Sequence, residues 1–140
     1  MSLYDGLGGF DVLLAVSRRW HQLCLADPEA AHPFEHGLHP QHDERLAAYL
    51  AEVCGGPALY TAGYGDESSM QRLHAGNGEP HPSLDAASTR LFTAALNDVG
   101  VPAGPAKELS DYFIEATAGM EQYVRSSDAV PPGLPIRLVR

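Results

Sequence analysis

Seven histidines stand in a chain of 140 residues that carries eighteen Asp and Glu against nine Lys and Arg. Imidazole is the side chain best suited to hold a transition metal or to exchange a proton near neutral pH. Spacing separates the seven. His21 follows Leu14 by seven residues and precedes Cys24 by three, His42 precedes Leu46 by four, and His74 follows Met70 by four. Those intervals place each on the apolar face of its own helix. A single inward histidine is more often a satisfied core residue. Three on three separate helices predict convergence on one cavity. His32, His36 and His39 share a loop with Gly37 and Pro40 and read as solvated, because they lack the helical spacing of a metal site. His81, between Pro80 and Pro82, reads as exposed.

Neutral imidazoles suit iron, copper and zinc. Few inward carboxylates are available to complete a ligand set made only of protein groups. Cys24 and Cys54 have no CxxC spacing and read as two reduced, buried thiols. An all-helical domain with inward histidines and no other ligand set fits a haem pocket, in which one proximal histidine holds the iron.

The elements that must position these residues are helices. In residues 10–25 the stripe is Phe10, Leu13, Leu14, Ser17, Trp20, His21 and Cys24, and Asp27-Pro28 ends it. A second helix runs from about Gln41 to Cys54 with His42, Leu46, Tyr49, Leu50 and Val53 inward, stopped by Gly55-Gly56-Pro57. Residues 57–67 read as a loop, and Glu67 to His74 as a short helix. Helices at 84–99 and 106–124 follow. Ala87, Leu91, Ala94, Ala95 and Leu96 face inward on the first of these, and Leu109, Tyr112, Phe113, Ala116, Met120 and Tyr123 on the second. Ser110 reads as solvent-side. Alternating β-branched runs are absent, so the fold class is all-α with four principal helices. Residues 1–128 form one domain. Residues 129–140, with Pro131, Pro132 and Pro135, form an extended tail expected to be poorly ordered at its end.

Composition narrows the function classes. Hydrophobic residues make up 44% and charged residues 19%, as in a globular domain. A formal net charge of −9 disfavours nucleic acid, which needs clustered Lys and Arg, and also an anionic membrane surface. No apolar run approaches the roughly 18 residues of a membrane span. MSLYDGLGG lacks a basic n-region, so a cytoplasmic location is expected.

Four stretches, LYDGLGG at 3–9, RRWHQLCLADPE at 18–29, ERLAAYLAEVCGGPALY at 44–60 and MQRLHAG at 70–76, resemble the truncated haemoglobins. The resemblance covers about residues 3–125, and the Gly-Gly-Pro after the second helix is similar to group II of that family. It implies two helices crossed over two others around haem b. His74 matches the proximal iron ligand. Phe34 matches the aromatic packed on the haem, His42 and Leu46 two distal positions, and Arg45 a residue facing a propionate. Two positions depart from the pattern. Trp20-His21 stands where the family reads Phe-Tyr, and Ser88 stands where group II carries a distal Trp. Tyr49 and Met70 complete the candidate lining, and both are packing residues in either reading.

These features predict a haem globin that binds dioxygen or another small ligand, with a distal imidazole as donor. Other readings stay open: His21 or His42 binding iron directly in a six-coordinate redox or sensor globin, or a haem enzyme of peroxidase or NO-dioxygenase type. Such an enzyme would use a distal histidine for acid–base work and an external reductase as electron donor. A degenerate globin without haem is disfavoured by His74 in its Gly-Gly-Pro and Phe34 context. Monomer and homodimer are equally open.

Overall fold

The computed structural model describes residues 1–139 apart from His36, Gly37 and Asn77. Among the described residues seven α-helices form: α1 Leu3–Leu7, α2 Phe10–Leu25, α3 His42–Val53, α4 Leu59–Gly63, α5 Glu67–His74, α6 Pro82–Val99 and α7 Ala103–Gly119. Short 3-10 turns cover His32–Glu35, Met120–Tyr123 and Ser127–Ala129. No strand occurs among the described residues.

Local chemistry sets the boundaries. Ser2 and Asp5 exchange hydrogen bonds as a capping box for α1, and Asp66 and Ser69 do the same for α5. Between α1 and α2 the chain turns through Gly8 and Gly9 at φ +106° and +85°. A Cβ on Gly8 would come 2.7 Å from Val12 Cγ2, so the turn requires glycine there. Pro82 opens α6, and Gly100, in the left-handed region, closes it.

The long helices α2, α3, α6 and α7 carry the core. α2 lies against α3 and α6, and α6 against α7. Leu13, Val16, Ala47, Leu50, Val53, Phe92, Ala95, Leu96 and Leu109 are almost fully buried in one cluster. A smaller cluster of Cys24, Ala30, Ala87 and Leu91 is closed by Trp20, Leu23 and Phe34. Phe92, absent from the expected stripe of α6, lies at the centre, stacked on Phe113 with centroids 3.9 Å apart.

Four sequence expectations change. Residues 59–63 are helical, because the buried Glu52 carboxylate accepts from Thr61 N and Oγ1 at 2.9 and 2.8 Å and holds that turn. α7 starts at Ala103 and gives way to a 3-10 turn at Met120. Ser110 is buried, its hydroxyl paired with that of Thr93, so a polar side chain sits inside the α6–α7 contact. The tail packs onto the domain. Val139 N donates to Val53 O at 2.8 Å, Tyr112 donates its hydroxyl to Arg137 O at 2.9 Å, and Ile136 and Val139 pack on the main core.

Candidate functional site

α2, the 3-10 turn and α3 bring Trp20, His21, Phe34 and His42 together. His21 stacks on Phe34 with centroids 4.9 Å apart, and His42 stacks on Trp20 at 6.3 Å. The two imidazoles meet edge to face at 5.7 Å. Trp20 makes further edge contacts with Phe34, Phe92 and Phe113 and donates its indole N–H to Ser88 O at 3.0 Å. Ser88 therefore borders this group through its backbone.

A residue that the spacing argument missed organises the pair. Asp43 Oδ1 lies 3.0 Å from His21 Nδ1 and 3.1 Å from His42 Nδ1. Its Oδ2 lies 3.2 Å from His21 Nδ1. A carboxylate only accepts, so both Nδ1 atoms carry the proton. In a neutral ring Nε2 then bears a lone pair. Burial holds the His42 pKa below its ordinary value; Asp43 opposes the shift, and the neighbouring charges of His21 and His74 reinforce it. The sequence signal for Asp43 was its place beside His42, but an aspartate in the first turn of a helix reads equally as a macrodipole partner.

His74 ends α5. Its Nδ1 lies 2.8 Å from Met70 O, one turn back. A carbonyl also only accepts, so Nδ1 carries the proton and the neutral ring offers Nε2 as a lone-pair donor. That is the tautomer a metal-bound imidazole needs, oriented by a backbone carbonyl. Met70 is buried, but His74 is exposed and Leu73 is 70% exposed. The inward reading of this helix thus holds for Met70 and not for His74. With only eight residues, α5 buries Glu67, Ser68 and Met70 near its start and leaves its last turn outside the core. His21 and His42 meet, and the charge of His74, from α5, acts on His42.

Other expected lining residues have specific partners. Tyr49 is buried and donates to Glu67 Oε1 at 2.6 Å, while Glu67 Oε2 accepts from Gln71 at 2.9 Å. Burial pushes the Tyr49 pKa far up. Arg45 places its guanidinium 5.9 Å from the Tyr60 ring centroid and 5.2 Å from that of Tyr64. Leu46 is half-buried against the core. His32 and His39 are exposed, whereas His81 is half-buried with Nδ1 3.1 Å from Asp85, which corrects its exposed reading. His36 lies outside the described residues. Cys24 and Cys54 are free and buried, and desolvation pushes both thiols up to about 12.

His74, with a bare Nε2 beside an exposed leucine, and two more imidazoles set among aromatic rings make a donor set that suits an iron porphyrin. An imidazole nitrogen would hold the iron, and the rings of Trp20 and Phe34 would pack on the macrocycle. The comparisons agree on the fold. The haemoglobin of the thermophilic phototrophic bacterium Chloroflexus aurantiacus matches with a TM-score of 0.73 and 27% identity, over 86% of this chain and 97% of that one. The thermostable haemoglobin of the actinobacterium Thermobifida fusca matches with a TM-score of 0.72 and 24% identity, over the same shares. The group II truncated haemoglobin of Bacillus anthracis gives a TM-score of 0.74 at 18% identity, over 90% of this chain and 92% of that one. No curated protein sequence matches. The family model for bacterial-like globins matches residues 2–125. With that match and the shared all-helical truncated-globin fold, the chain belongs to the bacterial-like globin family.

Proposed function

We propose that this globin binds haem b through His74 Nε2, with His21 and His42 on the opposite side serving as proton acceptors for a small ligand. The observation that carries the proposal is the set of three histidines whose Nδ1 atoms face acceptors. The Met70 carbonyl leaves His74 a lone pair at Nε2, and Asp43 leaves the same at His21 and His42. Phe34, Trp20, Leu46, Tyr49, Met70 and Ser88 line the cleft in this reading, and Arg45 faces a propionate. When bound, haem supplies the iron that a small ligand coordinates.

An Nε2 lone pair accepts a proton or a hydrogen bond, and in a neutral ring it cannot donate one. The distal pair therefore favours ligands that carry a proton, such as water or hydrogen peroxide, over dioxygen, which needs a donor. Asp43 fixes both rings, so the acceptor atoms are held before the ligand arrives. The proximal ring donates to a neutral carbonyl and stays a neutral imidazole. A second reading, direct ligation of iron by His42 or His21, is supported by the same lone pairs.

Purified protein should show a Soret band, and His74→Ala should lose stoichiometric haem while keeping its helical circular dichroism. Full haem occupancy in His74→Ala would remove His74 from this role. For the distal pair, His21→Phe and His42→Leu should each slow the reaction with hydrogen peroxide by roughly 10²-fold or more. Unchanged rates in both would remove the histidines from proton transfer. A six-coordinate spectrum in wild type that turns five-coordinate in one variant would instead establish direct ligation.

A further inference from the structure

We propose that His21, His42 and Asp43 form a binding site for one divalent first-row transition ion, and that its occupancy reverses the hydrogen-bonding sense of the two distal imidazoles. One ring nitrogen of His21, one of His42 and a carboxylate oxygen of Asp43 all lie within 4.8 Å of one another, and Asp43 Oδ1 is shared by both Nδ1 atoms. The carboxylate-to-imidazole separations are 3.0 and 3.1 Å. Ligand atoms at about 2.0–2.1 Å from a zinc-like ion stand roughly 2.8–3.4 Å apart in octahedral or tetrahedral geometry. Two of the three edges are thus already near the right length, and closing the third needs a small hinge of the rings.

The ring faces are braced. His21 stacks on Phe34 and His42 on Trp20, and Trp20 is itself tied to Ser88 O. The side chains of His21, His42 and Asp43 are 25%, 22% and 20% exposed, so an ion and a fourth, water ligand can reach them. Two imidazoles and one carboxylate are a borderline set that selects Zn²⁺, Cu²⁺ or Fe²⁺ over Mg²⁺ or Ca²⁺.

Binding changes the tautomers without changing the proton count. The ion takes the Nδ1 lone pairs and one Asp43 oxygen, and the two Nδ1 protons move to Nε2 through solvent. Each Nε2 then donates a hydrogen bond where before it accepted one. The ion would therefore convert a cleft suited to protonated ligands into one with two donors for dioxygen. This second step rests on the haem reading above; the ion site itself does not.

The test is isothermal titration of the purified full chain with Zn²⁺. We expect one site per chain, no heat with Mg²⁺, at least tenfold weaker Zn²⁺ binding in Asp43→Asn and in His21→Phe, and unchanged binding in His39→Gln. Circular dichroism verifies folding, and His42→Gln serves if either variant is unfolded. Equal Zn²⁺ affinity in wild type and the folded site variants, or no binding at all, overturns the ion site. In haem-loaded protein, Zn²⁺ should slow dioxygen dissociation several-fold in wild type and leave Asp43→Asn unchanged. No change in wild type overturns the switch. Absence of a Soret band would count against the haem reading alone, because the titration needs no haem.

Discussion

Trp20 donates its indole N–H to the carbonyl of Ser88 across 3.0 Å, joining α2 to α6 at the position where the resemblance leads one to expect a tryptophan. The only tryptophan of the chain thus reaches, from α2, the part of α6 that lacks one. Its ring also touches Phe34, His42, Phe92 and Phe113. One side chain braces His42 and the helices α6 and α7.

Trp20→Phe should keep much of the ring packing and lose the hydrogen bond, at a cost of about 1 kcal/mol. Trp20→Ala should cost about 3 kcal/mol or more, because several aromatic contacts vanish together. Urea denaturation followed by circular dichroism reads both. Equal midpoints for the two variants and wild type would show that the indole is not a brace.

Acid should destabilise the fold through His42. Its folded-state pKa lies below the ordinary 6.5 because burial disfavours the cation. Between the two values the unfolded chain binds the extra proton, so stability rises with pH across that window. Stability is full above 6.5 and falls as pH drops below 6.5 toward the folded value. His42→Gln should flatten this part of the stability profile, below the ordinary 6.5. A profile identical to wild type would assign the acid sensitivity to other groups.

Tyr49 and Glu67 share a buried hydrogen bond of 2.6 Å between α3 and α5. Tyr49→Phe removes the donor and leaves one oxygen of a buried carboxylate dependent on other partners. The expected loss is about 1–3 kcal/mol. Adding Glu67→Gln to Tyr49→Phe should recover part of it, since a neutral amide is cheaper to bury than an unpaired charge. A double-mutant cycle with no coupling would show that the two side chains act independently.

The tail should contribute to stability. Ser68 donates to Pro131 O at 2.7 Å and accepts from Leu134 N at 3.0 Å, adding to the contacts of Arg137 and Val139. Ending the chain after Ala129 should therefore lower the denaturation midpoint, with a loss of about 2 kcal/mol or more from several hydrogen bonds and two apolar residues. An unchanged midpoint would mean that the tail rests on the domain without stabilising it.

Much of this protein was legible before any coordinates. The stripes of α2 and α3 follow from a helical period imposed on apolar residues, and the stops at Asp27-Pro28 and Gly55-Gly56-Pro57 follow from backbone sterics. The interval between Met70 and His74 is the one their hydrogen bond spans, but the inward placement it suggests fails, since His74 is exposed. Other features needed the fold. Asp43 lies 22 positions from His21, and its role depends on how closely α2 approaches α3. Glu67 became a partner of Tyr49 only through the seating of α5, and Phe92 became central only through the docking of α7 on α6. Periodicity reports which face of a helix is apolar, a property of one segment. Which polar groups meet between helices depends on relative placement, and that is set by packing of the whole core. The choice of tautomer at His21 and His42, on which the proposed chemistry turns, therefore belongs to the tertiary structure.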